Sequence, residues 1–268
     1  MKLAVIGHVE WVTFLKLDLL PKPGIISHSE ECIENAAGGG AVTAIKLAEL
    51  TKCKIDFFTA LGKDEIGEKS KHMLLKHDLN LYIAWKNEPT RKGISMIDND
   101  GERAITVIGK RIQPEINDRL PWELLASYDG IFITACDQFI LKESRKAKHL
   151  LATPRLGFET LNSSQVKLDV LIGSKLDPFE KFASENIHIN PRIKIETEGR
   201  KGGIYSTSKR YSAKKLTKPL IDSYGCGDSF AAGVTAGISA GLDIEEAINI
   251  GSICGAECAT YFGPYLNF

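Results

Sequence analysis

The run Ile221-Asp222-Ser223-Tyr224-Gly225-Cys226-Gly227-Asp228-Ser229-Phe230 holds the residues best suited to chemistry in this chain. Glycines at 225 and 227 leave backbone N–H groups free to turn toward an anion without side-chain obstruction. The spacing of apolar residues after them predicts a helix, and its N-terminal end favours negative charge at the same place. Such a cradle suits a bound phosphate or an oxyanion transition state. Asp228, in the first helical turn, could accept a proton from a hydroxyl as that oxygen attacks a phosphoryl group. On local spacing alone a second reading carries equal weight. In it Gly-x-Gly-Asp simply opens a helix, with Asp228 placed well for the dipole.

The elements that must position this turn alternate in type. Leu3 to Ile6, ending at Gly7, is a short continuous apolar run of the kind a doubly buried strand needs. A mixed stretch at 12–20 ends in the turn signal Pro21-Lys22-Pro23-Gly24. Gly38-Gly39-Gly40 then leads into a helix whose Val42, Ile45, Leu47, Ala48 and Leu50 fall at roughly helical spacing. Further strands are expected at 55–61, 130–134, 170–173 and 193–197, and helices over 66–77 and around 141–151. Segments 202–205 and 211–216 predict a hairpin. Two helices close the chain. The first, about 226–240, aligns Phe230, Val234 and Ile238 and stops at Gly241. The second starts at Asp243, with Glu246 three residues on as in a capping box. Its stripe is Ala247, Ile250, Cys254 and Cys258.

Strands alternating with helices argue for an α/β chain whose mostly parallel sheet is covered on both faces. Residues 81–108 break that rhythm. Segments 82–85, 93–97 and 104–108 read as strands, with Asp98-Asn99-Asp100-Gly101 as a hairpin turn. They form an inserted antiparallel sheet, read as a lid and not as a separate domain.

Composition narrows the function classes. At 268 residues the chain can bury one substantial core, which fits one α/β domain with an excursion. Lys plus Arg and Asp plus Glu number 34 each, so no global field favours nucleic acid or anionic lipid. No apolar run approaches the ~18 residues of a membrane span. The segment Met1 to Gly7 is apolar too briefly for a signal peptide, which leaves the cytoplasm as the default compartment. The six cysteines follow no paired C-x-x-C metal spacing, and Cys254 and Cys258 read as small core residues.

Asp222 to Gly233 closely resembles the second signature of the PfkB, or ribokinase-like, carbohydrate kinases, D-T-x-G-A-G-D-x-F-x-x-G. Ser223 stands for Thr and Cys226 for Ala. Pro21-Lys22-Pro23-Gly24 is similar to the end of a lid strand in that family, and Gly38-Gly39-Gly40 to its first signature. Leu61-Gly62-Lys63-Asp64-Glu65-Ile66-Gly67 resembles its V-G-x-D-x-x-G turn. Gly101-Glu102-Arg103 resembles the G-E-R of its lid hairpin. Thr197-Glu198-Gly199-Arg200-Lys201-Gly202 resembles its T-x-G-x-x-G nucleotide loop. The order holds over nearly the whole chain.

The resemblance implies a ribokinase-like three-layer α/β sandwich with a central mostly parallel sheet and a small β lid. It implies one domain over 1–268, with lid strands from about 8–33 and 81–109. It further implies transfer of the γ-phosphoryl of ATP, with Mg²⁺, to a sugar or nucleoside hydroxyl. A nucleoside kinase and a catalytically silent ligand sensor remain as alternatives. Asp228 would be the base and Gly225, Cys226 and Gly227 the anion hole. Thr197, Gly199 and Gly202 would line the nucleotide site. The resemblance leaves activation by a monovalent cation open. The lid strands could pair between subunits into a homodimer, since exposed edges need covering.

Departures from the family pattern concern the acceptor. The sugar-binding Asp of many members falls at Val12, so Glu10 and His8 become the candidates for substrate hydroxyls. Gly39 and Gly40 could let substrate approach the backbone. Thr43 replaces an Asn and can still hydrogen-bond. At the N-x-x-E position stand Ser174 and Asp177, and Asp177 could organise metal-bound water. Lys175 could neutralise phosphate charge, Arg103 could reach substrate from the lid, and Arg155 could pair with a phosphate. For each, a solvated loop charge is the alternative. Cys226 would bring a thiol to the phosphates, either reactive or a passive replacement for Ala.

Overall fold

The computed structural model describes residues 1–99, 101 and 103–266. Along the chain, β1 (Leu3–Ile6) runs into a lid hairpin, β2 (Glu10–Leu17) and β3 (Ser29–Ala37), and then α1 (Gly39–Thr51). β4 (Ile55–Gly62), α2 (Glu65–Leu74) and β5 (Leu79–Lys86) follow, then a second lid hairpin, β6 (Lys92–Ile97) and β7 (Arg103–Ile108). The chain returns through β8 (Gly130–Ile133), α3 (Gln138–Ser144), β9 (His149–Ala152), α4 (Phe158–Ser164), β10 (Val170–Ser174), α5 (Pro178–Glu185) and β11 (Ile193–Thr197). A hairpin of β12 (Gly203–Tyr205) and β13 (Lys209–Tyr211) precedes α6 (Cys226–Ser239) and α7 (Ile244–Cys258).

The strands that are apolar on both faces lie in one nine-stranded sheet, ordered β13-β12-β11-β10-β9-β8-β1-β4-β5. From β11 to β5 every neighbouring pair is parallel. The β12–β13 hairpin extends the edge antiparallel. Alternate side chains feed two layers. Val5 and Phe57 pack with Ala44 and Leu47 of α1 and Leu74 of α2, and α6 and α7 cover the same face further along. Ala4, Ile6 and Ile131 face the other way, onto Ile140 of α3 and Leu161 of α4. β1 pairs with β4 on one side and β8 on the other, so the crossovers diverge there. That divergence opens a crevice at the carboxyl ends of the strands, the usual ligand site of such sheets.

The lid is a four-stranded sheet ordered β3-β2-β6-β7. It is mixed, not antiparallel throughout, because β2 and β6 run parallel. The turn between β6 and β7 closes with Gly101 N–H on the Asp98 carbonyl at 3.0 Å, and Gly101 takes φ +80°. Asp100 of that turn and Glu102 of the Gly-Glu-Arg run lie outside the described residues.

Three further expectations need correction. Segment 82–85 is not lid: it belongs to β5, which pairs parallel with β4 along its whole length. Its Leu81, Ile83 and Trp85 pack on one helical layer while Tyr82 stacks on Phe58 on the other side. A strand apolar on both faces belongs to a sheet covered on both faces. The helix around 141–151 ends at Ser144, and His149–Ala152 is β9, a central parallel strand. Buried Leu150, Leu151 and Ala152 serve both faces, which helical periodicity cannot distinguish from a helix continuing. The second arm of the late hairpin is Lys209–Tyr211, ahead of the expected 211–216. The closing helices follow their signals: Gly241 stands at φ +84° and the Asp243–Glu246 capping box is complete.

Candidate active site

The glycine-rich turn is held from both sides before it becomes a helix. Asp222 accepts from Tyr224 N–H at 2.8 Å through Oδ1 and from Gly263 N–H at 3.1 Å through Oδ2. The Tyr224 hydroxyl accepts from Gly38 N–H at 3.2 Å, and its ring meets Phe14 of the lid edge-on at 4.8 Å. Gly225 caps α6 in the left-handed region, φ +77°, which a residue with a Cβ adopts only under strain. Its carbonyl takes the Ser229 N–H at 2.8 Å. Cys226 N–H has only a long contact, 3.5 Å, to the Ser223 carbonyl, and the N–H groups of Gly227 and Asp228 meet no acceptor among the described residues. These are first-turn donors left over by helix geometry, aimed where the helix dipole is positive.

Asp228 sits half-buried beside them. The water-poor surroundings push its carboxyl above the ordinary carboxylate range, opposed by the Arg155 and Arg103 guanidiniums. A Cβ on Gly39 would stand 2.9 Å from Asp228 Oδ1, so α1 and α6 meet N-terminus to N-terminus around this carboxylate. Glycine is required again below it, since a Cβ on Gly7 would lie 2.2 Å from Thr134 Oγ1 and 2.7 Å from Gly40 Cα. The start of α1 therefore rests directly on the end of β1. Thr43 donates to the Asp228 carbonyl at 3.4 Å and so ties α1 to the start of α6.

The crevice around Asp228 is a cavity of about 440 Å³. At its β1 end, buried His8 lies 3.4 Å from both Gly39 N and Thr134 Oγ1, and 3.7 Å from Glu10 Oε1. Glu10 pairs with Arg91 at 3.0 Å. Burial first, and then Arg111, Arg155 and Arg91, hold His8 neutral well below its ordinary value. Burial raises Glu10 despite those same guanidiniums. At the other end, Arg155 Nε meets Glu180 Oε1 at 2.6 Å, and Glu180 Oε2 accepts from Ser174 N–H at 2.8 Å. Asp177 caps α5 through Oδ1, accepting from Phe179 and Glu180 N–H groups at 2.9 and 3.3 Å.

The cavity gathers most of the residues expected from sequence. His8, Glu10, Gly39 and Arg103 line the acceptor side, with Arg103 over the Tyr224 ring at 5.8 Å. Ser174, Asp177 and Thr197 line the far side, and Gly225, Gly227 and Asp228 stand between. Others fall outside its walls. Gly40 packs on Gly7 and the His8 carbonyl. Lys175 turns to Glu198 at 3.1 Å, drawn by a carboxylate shared with Arg210. Gly199 and Gly202 shape the turn after β11, where a Cβ on Gly202 would meet the Tyr211 carbonyl at 2.0 Å. The Cys226 thiol points back toward the Asp222 carbonyl at 4.0 Å instead of the cavity. Hydrogen bonding with Cys258, then burial, holds it well above its ordinary value, so it is no reactive thiolate.

Sequence reading missed Arg91, Arg111 and Glu180. The basic pairs Arg91-Lys92 and Lys110-Arg111 flank the β6–β7 hairpin and were its available signal. Glu180 sits six residues after Ser174, one helical turn beyond the Asp177 that the motif spacing selected.

Known proteins resemble this chain over most of its length. The family model described as pfkB family carbohydrate kinase matches residues 1–156 and 173–267. The curated acarbose 7(IV)-phosphotransferase of Actinoplanes sp. is 24% identical over 277 residues, spanning 96% of this chain and 91% of that protein. The ATP-dependent ribose-1-phosphate kinase of Halopiger xanaduensis is 23% identical over 273 residues, spanning 94% and 90%. The crystal structure of adenosine kinase from Sinorhizobium meliloti superposes with a TM-score of 0.77 at 17% identity, over 98% of this chain and 95% of that one. The structural likeness speaks to the fold, a ribokinase-type α/β architecture. The family match runs from the first strand past the last helix, and on it the chain belongs to the pfkB family of carbohydrate kinases.

Proposed function

We propose that the chain transfers the γ-phosphoryl of ATP to a hydroxyl of a sugar-like acceptor, with Asp228 as the base. One observation carries this reading: the free N–H groups of Gly227 and Asp228 and the Asp228 carboxylate face one cavity. An anion and a hydroxyl proton can thus be handled at one spot. The acceptor lies at the β1 end, near His8 and Glu10. The nucleotide lies toward Ser174 and Thr197, at the ends of β10 and β11. β1 and β11 are four strand spacings apart, roughly 19 Å, which leaves room for a triphosphate between them. α6 crosses this interval, since Phe230 packs with Phe132, Leu151 and Ile172 of β8, β9 and β10.

In the reaction Asp228 takes the acceptor proton as the hydroxyl oxygen attacks. The N–H groups of Gly227 and Asp228 hold the transferring charge without reorganising. Arg155, tied to Glu180 and facing Asp228, keeps positive charge beside the same point. The residues suit Mg²⁺ carried on nucleotide phosphates: among the described residues no cluster of three His, Cys, Asp or Glu forms a protein cage. Asp177, which lines the cavity beside Ser174, would order its water shell. Bound there, the ion would neutralise phosphate charge. The β6–β7 arm presents Ile105 and Val107 to the cavity, and its closure would exclude water. The free edges of β3 and β7 are the surfaces through which a homodimer would form.

The test is phosphorus NMR of the protein with ATP, Mg²⁺ and a pool of sugars, sugar phosphates and nucleosides. A new phosphomonoester signal matched by ADP supports the reading. ATP binding without transfer to any acceptor would favour a ligand sensor on this fold and overturn it.

A further inference from the structure

Tyr224 stands beside the glycine turn with a hydroxyl proton that no described residue takes. Its backbone is fixed: its N–H goes to Asp222 Oδ1 at 2.8 Å, and its carbonyl accepts from the Cys258 thiol at 3.2 Å. Its ring is fixed too. It packs among Val12, Ala37 and Val42, meets Phe14 edge-on at 4.8 Å and lies under the Arg103 guanidinium. The hydroxyl accepts from Gly38 N–H at 3.2 Å, which uses one lone pair and leaves the proton. Among the described residues no acceptor lies within hydrogen-bond reach of that proton. Only 8% of Tyr224 is exposed, and what it shows faces the cavity, as do Gly38, His8 and Glu10 around its hydroxyl. A buried phenol in this state costs free energy unless something in the cavity accepts from it.

The neighbouring groups define what that something is. Burial first, and then the Glu10 and Asp228 carboxylates, keep the phenol from ionising, so it stays a donor and stands near two negative charges. Neutral His8 has both ring nitrogens engaged, with Gly39 N–H and Thr134 Oγ1 each at 3.4 Å. Glu10 meets Arg91 through Oε1 at 3.0 Å, while its Oε2 has no partner among the described residues. One donor and one acceptor are therefore unspent at this end of the cavity. A hydroxyl both accepts and donates, so a single hydroxyl satisfies both by taking the Tyr224 proton and giving its own to Glu10 Oε2. A carboxylate or phosphate in its place would accept from Tyr224 but bring like charge against Glu10.

Resting on the kinase reading above, we propose that Tyr224 is a specificity-determining residue that reads a second hydroxyl of the acceptor, one other than the hydroxyl Asp228 activates. The Tyr224 O–H donates to that oxygen, and Glu10 Oε2 accepts its proton. The contact holds the acceptor at the end of the cavity away from Ser174 and Thr197. It also ties acceptor choice to the catalytic turn, because Tyr224 directly precedes Gly225, the cap of α6, and its hydroxyl holds Gly38, the cap of α1. An acceptor without the second hydroxyl leaves a buried phenol and a buried carboxylate oxygen unpaired, and a site of that kind rejects it strongly.

The test uses ATP and Mg²⁺ with ribose, glucose and adenosine, each beside the full set of its monodeoxy analogues. In a set that wild type phosphorylates, one analogue that keeps the reacting hydroxyl should fall by about 100-fold in kcat/KM against its parent. Tyr224→Phe keeps the ring and should shrink that ratio about tenfold, by slowing the parent while the analogue changes little. A hydroxyl that served only to hold Gly38 would, when removed, slow both alike and leave the ratio unchanged, which overturns the proposal. Glu10→Gln acts on the same contact from its other side and should shrink the same ratio, so the proposal stays testable should Tyr224→Phe fold poorly. Calorimetry of parent and analogue with ADP saturating reads the discrimination without turnover. Discrimination in binding that weakens in Tyr224→Phe supports the proposal, and discrimination equal to wild type overturns it. Monodeoxy analogues all used as well as their parents overturn it while leaving the kinase reading intact. Transfer to no acceptor in any set overturns both.

Discussion

Gly39→Ala separates catalysis from stability at one atom. Gly39 opens α1 at an ordinary helical conformation, so alanine meets no backbone strain there. Intrinsic propensity even favours alanine in a helix by about 0.5–1 kcal/mol. The added Cβ, however, would stand 2.9 Å from Asp228 Oδ1 and 3.5 Å from His8 Cε1. Ordinary contact begins near 3.4 Å, so the carboxylate must move by about half an ångström. A misplacement of ~1 Å costs on the order of 100-fold in a well-aligned reaction, so half of that predicts about a tenfold loss of kcat. Urea denaturation should give a midpoint equal to or above wild type, and steady-state assays should give the lower kcat. An unchanged kcat in a folded variant would refute the placement of Asp228 at the reacting atoms.

The remaining predictions address the turn and its electrostatics. Gly225→Ala forces a Cβ into φ +77° with Val42 Cγ1 at 3.0 Å, and should lower stability by about 1–2 kcal/mol in urea titration. Arg155→Ala removes the leading cation that holds Asp228 down, so the acid limb of the kcat–pH profile should move to higher pH. An acid limb that stays in place in this variant would remove Asp228 as the titrating group. His8 is protonated less readily in the folded state than in the unfolded one. Its contribution to stability is therefore complete above about pH 6.5 and lost as pH falls toward the lowered folded value. His8→Gln should flatten the stability–pH slope below pH 6.5 by at most about 1.4 kcal/mol per pH unit, measured by urea titration from pH 7 to 5.

What the sequence made legible was local and periodic. Asp222 to Gly233 announced the turn and helix because glycines at 225 and 227 and the spacing of Phe230 and Val234 are conditions of the structure itself. The capping box at Asp243 was readable for the same reason. β9 was not: His149–Ala152 is four residues long, and its apolar run follows a seven-residue helix without a strong break. β5 looked like lid because sheet membership depends on its partner, and the pairing of Leu79 with Ile55 lies across 24 residues. The site behaved likewise. Glu10 and His8 follow β1 directly, and their neighbourhood could be guessed. Arg91 and Arg111 come from the two ends of the β6–β7 hairpin and Glu180 from α5, and only the tertiary fold brings them to one cavity. For Thr43, motif position gave its helix, but only packing shows its hydroxyl turned to the Asp228 carbonyl.

The central claim is that Asp228 removes the acceptor proton beside the N–H groups that hold the transferring phosphoryl. Its most direct test is rapid-quench single turnover of Asp228→Asn with ATP, Mg²⁺ and the acceptor found in the screen, alongside calorimetry of a non-hydrolysable ATP analogue. Loss of the base should slow transfer by about 100- to 10,000-fold, with nucleotide affinity within a few-fold of wild type. Transfer at the wild-type rate, in a variant that binds nucleotide normally, would contradict the account.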